Sequence, residues 1–174
     1  GEHLAFVADW TNAPKIYIMN ADGTGIKQLT EREVSEHSPY WSPNGKQIAF
    51  VSTSARASGM STIYTATVSS EPTVAEILTR WCDDPTSNRP CESFYSLAWS
   101  PDSRMLAVVT QSHGWGSVPP PKEHPPIISD QEGIGIVIVN IAETMKQPRL
   151  VAWNVLGGFH SISWSPDGNN LLYY

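Results

Sequence analysis

Basic runs are missing from this chain. Its 11 Lys and Arg are outnumbered by 17 Asp and Glu, for a formal net charge of −6. No cationic footprint exists for nucleic acid or an anionic membrane surface, so neither is expected as a partner. Long apolar runs are missing too: nothing approaches the roughly 20 consecutive residues of a membrane span, and direct membrane insertion is not expected. Cysteine is scarce. The two, Cys82 and Cys91, flank the polar loop Asp83-Asp84-Pro85-Thr86-Ser87-Asn88-Arg89-Pro90. Without a clustered histidine they fall short of a tetrahedral ligand set, so no metal and no cofactor is expected. A disulfide closing the loop is one reading and implies a compartment outside the cytoplasm; two unrelated thiols is the other. Asp83-Asp84 reads as a pair of solvated turn carboxylates rather than a calcium site. Sustained helical periodicity is absent. So are the signatures of catalysis: there is no Gly-x-Ser-x-Gly elbow, no His-Glu-x-x-His and no glycine-rich phosphate loop. Glu36-His37 and His160-Ser161 are neighbours in sequence, which is not a triad. The chain is not expected to be an enzyme in its own right.

What is present is a repeat. Trp41-Ser42-Pro43-Asn44-Gly45-Lys46-Gln47-Ile48-Ala49-Phe50 recurs as Trp99-Ser100-Pro101-Asp102-Ser103-Arg104-Met105-Leu106-Ala107-Val108 and again as Trp164-Ser165-Pro166-Asp167-Gly168-Asn169-Asn170-Leu171-Leu172-Tyr173. A shortened copy, Leu4-Ala5-Phe6, matches Ile48-Ala49-Phe50. Each copy is a turn between two strands. Proline presets φ for the first corner, Asn or Asp follows, and Gly45 or Gly168 takes the left-handed position. Ser103 stands where the other copies have glycine, at a conformational cost if its φ is positive. Trp41, Trp99 and Trp164 are expected to pack between neighbouring sheets. Asp22, Asp102 and Asp167 are expected to bond nearby amides in their turns.

Between the copies lie short runs rich in β-formers, four strands to a repeat, with a basic period in the forties stretched by insertions. That pattern is the blade of a β-propeller. The chain is therefore expected to be all-β: a partial β-propeller of about three four-stranded antiparallel blades, starting and ending on a B strand. Residues 1–37 form a partial blade, entered in mid-repeat as if cut from a longer chain. Residues 38–93 form a blade with the Cys82/Cys91 loop, 94–157 a blade with a proline-rich loop at 112–133, and 158–174 the start of another. Residues 31–37 read as a polar connection, with the next strand beginning at Ser38.

An aromatic-Ser-Pro-Asp-Gly turn, an Ile-Ala-Phe strand, an Ile-Tyr-hydrophobic-Met-Asn strand, an Asp-Gly turn and a Leu-Thr ending together resemble the TolB-type propeller repeat. The residues that carry the resemblance are 41–50 and 16–30. It implies the propeller fold and leaves function open, because such propellers serve in periplasmic proteins, surface sensors and peptidase accessory domains.

Propeller connectivity puts A–B and C–D turns on one face and B–C and D–A loops on the other. The glycine turns fall on the first face and both long insertions on the second. With them go Trp10, His37, Trp81, Arg89, His113, Trp115, Trp153 and His160, the candidate ligand-binding residues. The structural repeat residues are Trp41, Pro43, Gly45, Trp99, Pro101, Trp164, Pro166 and Gly168. Each loop tryptophan also has a simpler use, covering the apolar edge of its own blade. The expected function is a non-catalytic binding or sensor module for a protein or peptide, outside the cytoplasm. One alternative is the gating propeller of a larger TolB-related serine peptidase. Another is a structural fragment that completes its ring by self-association or with a missing propeller segment, since open sheet edges are sticky.

Overall fold

The computed structural model describes residues 1–53, 61–79, 93–113, 132–142, 148–153 and 161–173. Among the described residues, thirteen strands make four antiparallel sheets. The first holds β1 (His3–Ala8), β2 (Lys15–Asn20) and β3 (Lys27–Gln28). The second runs in order β4 (Ser35–Trp41), β5 (Gln47–Thr53), β6 (Ser61–Thr67) and β7 (Val74–Thr79). The third runs β8 (Ser93–Trp99), β9 (Met105–His113), β10 (Glu132–Asn140) and β11 (Arg149–Trp153). The fourth pairs β12 (Ile162–Trp164) with β13 (Leu171–Tyr173). Among the described residues there is no helix.

Sheets stack face to face because the second strand of each repeat is apolar on both sides. A strand alternates its side chains between faces. Ile48 and Phe50 therefore join Ile16 and Ile18 of the first sheet, while Ala49 and Val51 join Leu97 and Trp99 of the third. The pattern repeats one sheet on: Leu106 and Val108 face back, and Ala107 and Val109 face Ile162 and Trp164. A strand buried on both faces reads as a continuous apolar run, as Ile48-Ala49-Phe50-Val51 does.

The repeat turns are built alike. The N–H of Gly45, Ser103 and Gly168 donates to the carbonyl of Ser42, Ser100 and Ser165 at 2.9, 2.8 and 2.9 Å. Gly45 has φ 69° and Gly168 φ 73°. Ser103 takes φ 60° in the same place, so the strain expected there is real. Its hydroxyl offsets it by accepting the Asn44 N–H of the neighbouring turn at 3.1 Å. The serine of each motif is the hub that the sequence did not advertise. Ser42, Ser100 and Ser165 Oγ accept the N–H of Gln47, Met105 and Asn170, each at 2.9 Å. Each also bonds the side chain two residues on, Asn44, Asp102 or Asp167. Asp22, Asp102 and Asp167 accept amides from Thr24, Arg104 and Asn169 at 2.9, 3.1 and 3.0 Å, as expected of turn carboxylates.

Two boundaries differ from the sequence expectation. β4 begins at Ser35 and not Ser38, so the last residues of the polar connection belong to the ladder, with Glu36 opposite Ser52. The strand is legible only once the partners of its buried glutamate are known. A bulge between His37 and Tyr40, with Ser38 at φ 55°, further breaks the alternation. β9 and β10 also continue into the expected proline-rich loop, pairing Ser112 with Gly133 and His113 with Glu132.

Candidate functional site

The two ends of the sheets differ in how their polar groups are used. At the end carrying the repeat turns, neighbouring turns bond to one another. Asn44 donates to Ser103, and Lys27 Nζ reaches the carbonyls of Ser69 and Ser70 at 3.3 and 3.2 Å. At the opposite end, the β1–β2 loop and the β3–β4 connection enclose a charged cluster. Glu36, on β4, is fully buried. Its Oε2 accepts the hydroxyl of Thr30, which itself accepts the Ile16 N–H at 3.2 Å. The Glu36 N–H donates to the Pro14 carbonyl at 3.0 Å. Lys15, also buried, donates Nζ to the carbonyls of Val34 and Ala13 at 2.9 and 3.3 Å. The Arg32 guanidinium lies 3.7 Å over the Tyr64 ring, a cation–π contact that ties the connection to the second sheet.

Two groups in this cluster are left over. Glu36 Oε1 and Arg32 Nη1 are buried and find no hydrogen-bond partner among the described residues. Burial pushes the Glu36 carboxyl above its ordinary range, against the Thr30 hydroxyl and the Lys15 and Arg32 charges that pull it down. The cluster therefore latches the first sheet to the second and holds the base of the loop face. Sequence reading passed over Lys15 and Thr30, and took Glu36 only as the neighbour of His37. The signal that could have found them was a lone lysine opening an otherwise apolar strand, Lys15-Ile16-Tyr17-Ile18.

Two of the expected ligand-binding residues have side chains that the structure describes. Trp10 is 62% exposed, and its ring contacts Tyr17 and Phe6 with centroids 4.7 and 5.8 Å apart. His37 lies in β4, half-buried, with Nδ1 3.3 Å from Ser38 Oγ. Burial pushes its imidazole below the ordinary histidine value. His113 ends β9 and Trp153 ends β11, where their backbones pair with Glu132 and Gly135. Trp81, Arg89, Trp115 and His160, together with Cys82 and Cys91, lie outside the described residues. Among the described residues no group of His, Cys, Asp or Glu could hold a metal ion.

No protein-family model matches the chain. Over 174 residues it is 24% identical to dipeptidyl-peptidase 5 of Porphyromonas gingivalis, an alignment that takes in 91% of this chain and 25% of that protein. Its structure superposes on that of a TolB protein from Agrobacterium tumefaciens with a TM-score of 0.60 at 18% identity, covering 100% of this chain and 55% of the other. The chain has a TolB-like β-propeller fold. The propeller likewise matches dipeptidyl peptidase 4 of Porphyromonas gingivalis, with a TM-score of 0.59 at 14% identity over 99% of this chain and 27% of that one. It thus spans about a quarter of the length of the curated relative it matches.

Proposed function

We propose that this propeller is a non-catalytic binding module that engages a protein or peptide through its B–C/D–A loop face, outside the cytoplasm. One observation carries the reading. The turn end spends its polar groups on itself, whereas the β1–β2 loop presents an exposed indole, Trp10, held against the Phe6 and Tyr17 rings of its own sheet. Aromatic side chains on loops over a rigid scaffold are the usual material of binding surfaces. Propeller connectivity read from the sequence assigns Trp81, Arg89, His113, Trp115, Trp153 and His160 to loops of that same face. A panel of short peptides with free amino termini, titrated while tryptophan fluorescence is read, tests this. Binding that is lost in the Trp81→Ala/Trp115→Ala variant with its thermal transition unchanged supports the reading. No response from any peptide, or an unchanged affinity in the variant, overturns it.

A second reading rests on the alignment with a dipeptidyl-peptidase over 91% of the chain. Here the propeller gates access to the catalytic domain of a larger serine peptidase. An adjoining coding segment with an α/β-hydrolase pattern and a nucleophile elbow would favour it over a free-standing sensor. A third, ring completion by self-association, predicts a discrete dimer in light scattering.

A further inference from the structure

The chain holds a single Asn-Gly pair, Asn44-Gly45, in the first of its three Trp-Ser-Pro turns. The other two turns carry Asp102-Ser103 and Asp167-Gly168 at that place. Asparagine is a thermolabile residue. It is most labile before glycine, whose backbone nitrogen has no side chain beside it to shield it and can attack the asparagine side-chain carbon. Both residues are exposed to solvent. Among the described residues the Asn44 side chain is held only through Oδ1, and the amide nitrogen Nδ2, the group that would leave, is not tied down.

The folded turn opposes the reaction at each atom it needs. The attacking group, the Gly45 N–H, is spent on the Ser42 carbonyl at 2.9 Å. The group to be attacked is pinned through Oδ1, which accepts the Ser42 hydroxyl and the Lys46 N–H, both at 2.9 Å. The Asn44 N–H is anchored on Ser103 Oγ of the neighbouring turn at 3.1 Å. Ser42, itself buried, thus restrains both the nucleophile and the electrophile.

We infer that Asn44 is a spontaneous deamidation site that the repeat turn holds in check, so that the reaction proceeds only when this turn opens. In the open turn the Gly45 nitrogen, its proton lost to solvent, bonds to Asn44 Cγ. The Cγ–Nδ2 bond breaks, Nδ2 takes up a proton and leaves as ammonia, and a succinimide closes. Water then opens the ring. Opening at Cγ gives aspartate; opening at the main-chain carbonyl gives isoaspartate, with the chain routed through the former side chain. One water enters for each ammonia released, and nothing is oxidised or reduced. The turn accommodates the first product. Aspartate at this place accepts the serine hydroxyl and the amide two residues on, as Asp102 and Asp167 do. Isoaspartate lengthens the main chain within the turn and turns Oδ1 into a main-chain oxygen, so the hold of Ser42 and Lys46 is lost. The site lies at the turn end and stands apart from the loop-face reading.

The whole 174-residue chain is incubated at mildly alkaline pH, both folded and in guanidinium chloride above its unfolding transition. Peptides spanning residue 44 are then quantified by mass spectrometry. Deamidation of Asn44 should be at least about tenfold slower in the folded chain, as expected when an opening that breaks several hydrogen bonds must come first. In the folded chain Ser42→Ala, which removes the restraining hydroxyl, should speed the reaction by about fivefold. Ser165→Ala makes the same lesion in a turn that shares no partner with Asn44, and should leave the rate within about twofold of the parent's. Ser103→Ala frees the Asn44 N–H and should speed the reaction by about twofold or more, a test that stands even if Ser42→Ala does not fold. Equal rates in the folded and unfolded chain overturn the proposal. So does a parent-like rate in Ser42→Ala or Ser103→Ala. Equal acceleration in Ser42→Ala and Ser165→Ala also overturns it, because the rate would then follow unfolding of the whole chain and not opening of this turn.

Discussion

The Trp99 indole donates to the Tyr40 carbonyl at 2.9 Å, although the two residues are 59 positions apart. This bond joins a turn motif to its preceding copy, so a local sequence repeat also becomes an inter-sheet tie. Trp99→Phe should therefore cost about 1–2 kcal/mol, from the lost hydrogen bond and the volume left behind. Among the described residues the Trp41 indole has no such bond, so Trp41→Phe should cost less than Trp99→Phe. Urea midpoints of the two variants measured side by side decide this. Equal losses would mean that the tie contributes nothing beyond packing.

Ser103 makes a second prediction. Its φ of 60° is strained for any residue but glycine, and its hydroxyl accepts the Asn44 N–H at 3.1 Å. Ser103→Gly relieves the strain, by about 1 kcal/mol, while losing a bond of similar worth, so its net effect should be small. Ser103→Ala keeps the strain and loses the bond, and should be less stable than Ser103→Gly by roughly 1 kcal/mol. Gly45→Ala isolates the backbone term, since a Cβ there meets nothing within 4 Å at φ 69°. Its thermal midpoint should fall by an amount comparable to the difference between the two Ser103 variants.

Most of the fold was legible because the repeat announces itself. Three Trp-Ser-Pro motifs gave the sheet order, and runs such as Leu106-Ala107-Val108-Val109 gave the strands buried on both faces. What stayed hidden depended on partners far away in the chain. Glu36 reads as solvated connection because nothing local says that Thr30 and Lys15 enclose it. Ser42, Ser100 and Ser165 look like ordinary turn residues until their second bonds are seen. For the candidate binding face, propeller connectivity only leads one to expect a shared side of the scaffold, because nothing local in the sequence says which loop side chains converge. Of its eight proposed residues, only Trp10 and His37 have side chains whose surroundings the structure describes.

Glu36 gives the pH dependence its sign. Its folded carboxyl titrates above the ordinary 4.5. The folded chain thus holds that proton more tightly than the unfolded chain. The contribution to stability is full below the ordinary value and is lost as pH rises through the folded one. Asp22, Asp102 and Asp167 run the other way: turn hydrogen bonds hold them below 3.8, so their contribution is lost as pH falls through the depressed values. Glu36→Gln removes only the first effect. The stability of the variant relative to the parent should increase as pH is raised from 4.5 toward about 7. A difference that is flat or falling, read from urea midpoints across that range, would contradict the burial-dominated shift.

Lys15 and Glu36 form no direct bridge. Lys15 is spent on the carbonyls of Val34 and Ala13, and Glu36 on the Thr30 hydroxyl. They nevertheless share one buried volume, where the lysine charge pulls the Glu36 carboxyl down. Lys15→Met keeps the stem and removes the charge. It should cost about 2–4 kcal/mol, because it removes the donor from two partly buried carbonyls and leaves Glu36 less compensated. In the Glu36→Gln background the same change should cost less, by roughly 0.5–2 kcal/mol, the usual range for neighbours in one network. Strict additivity in this double-mutant cycle would show that Lys15 serves only the carbonyls. The latch between the first two sheets would then be a set of independent hydrogen bonds and not a coupled charge cluster.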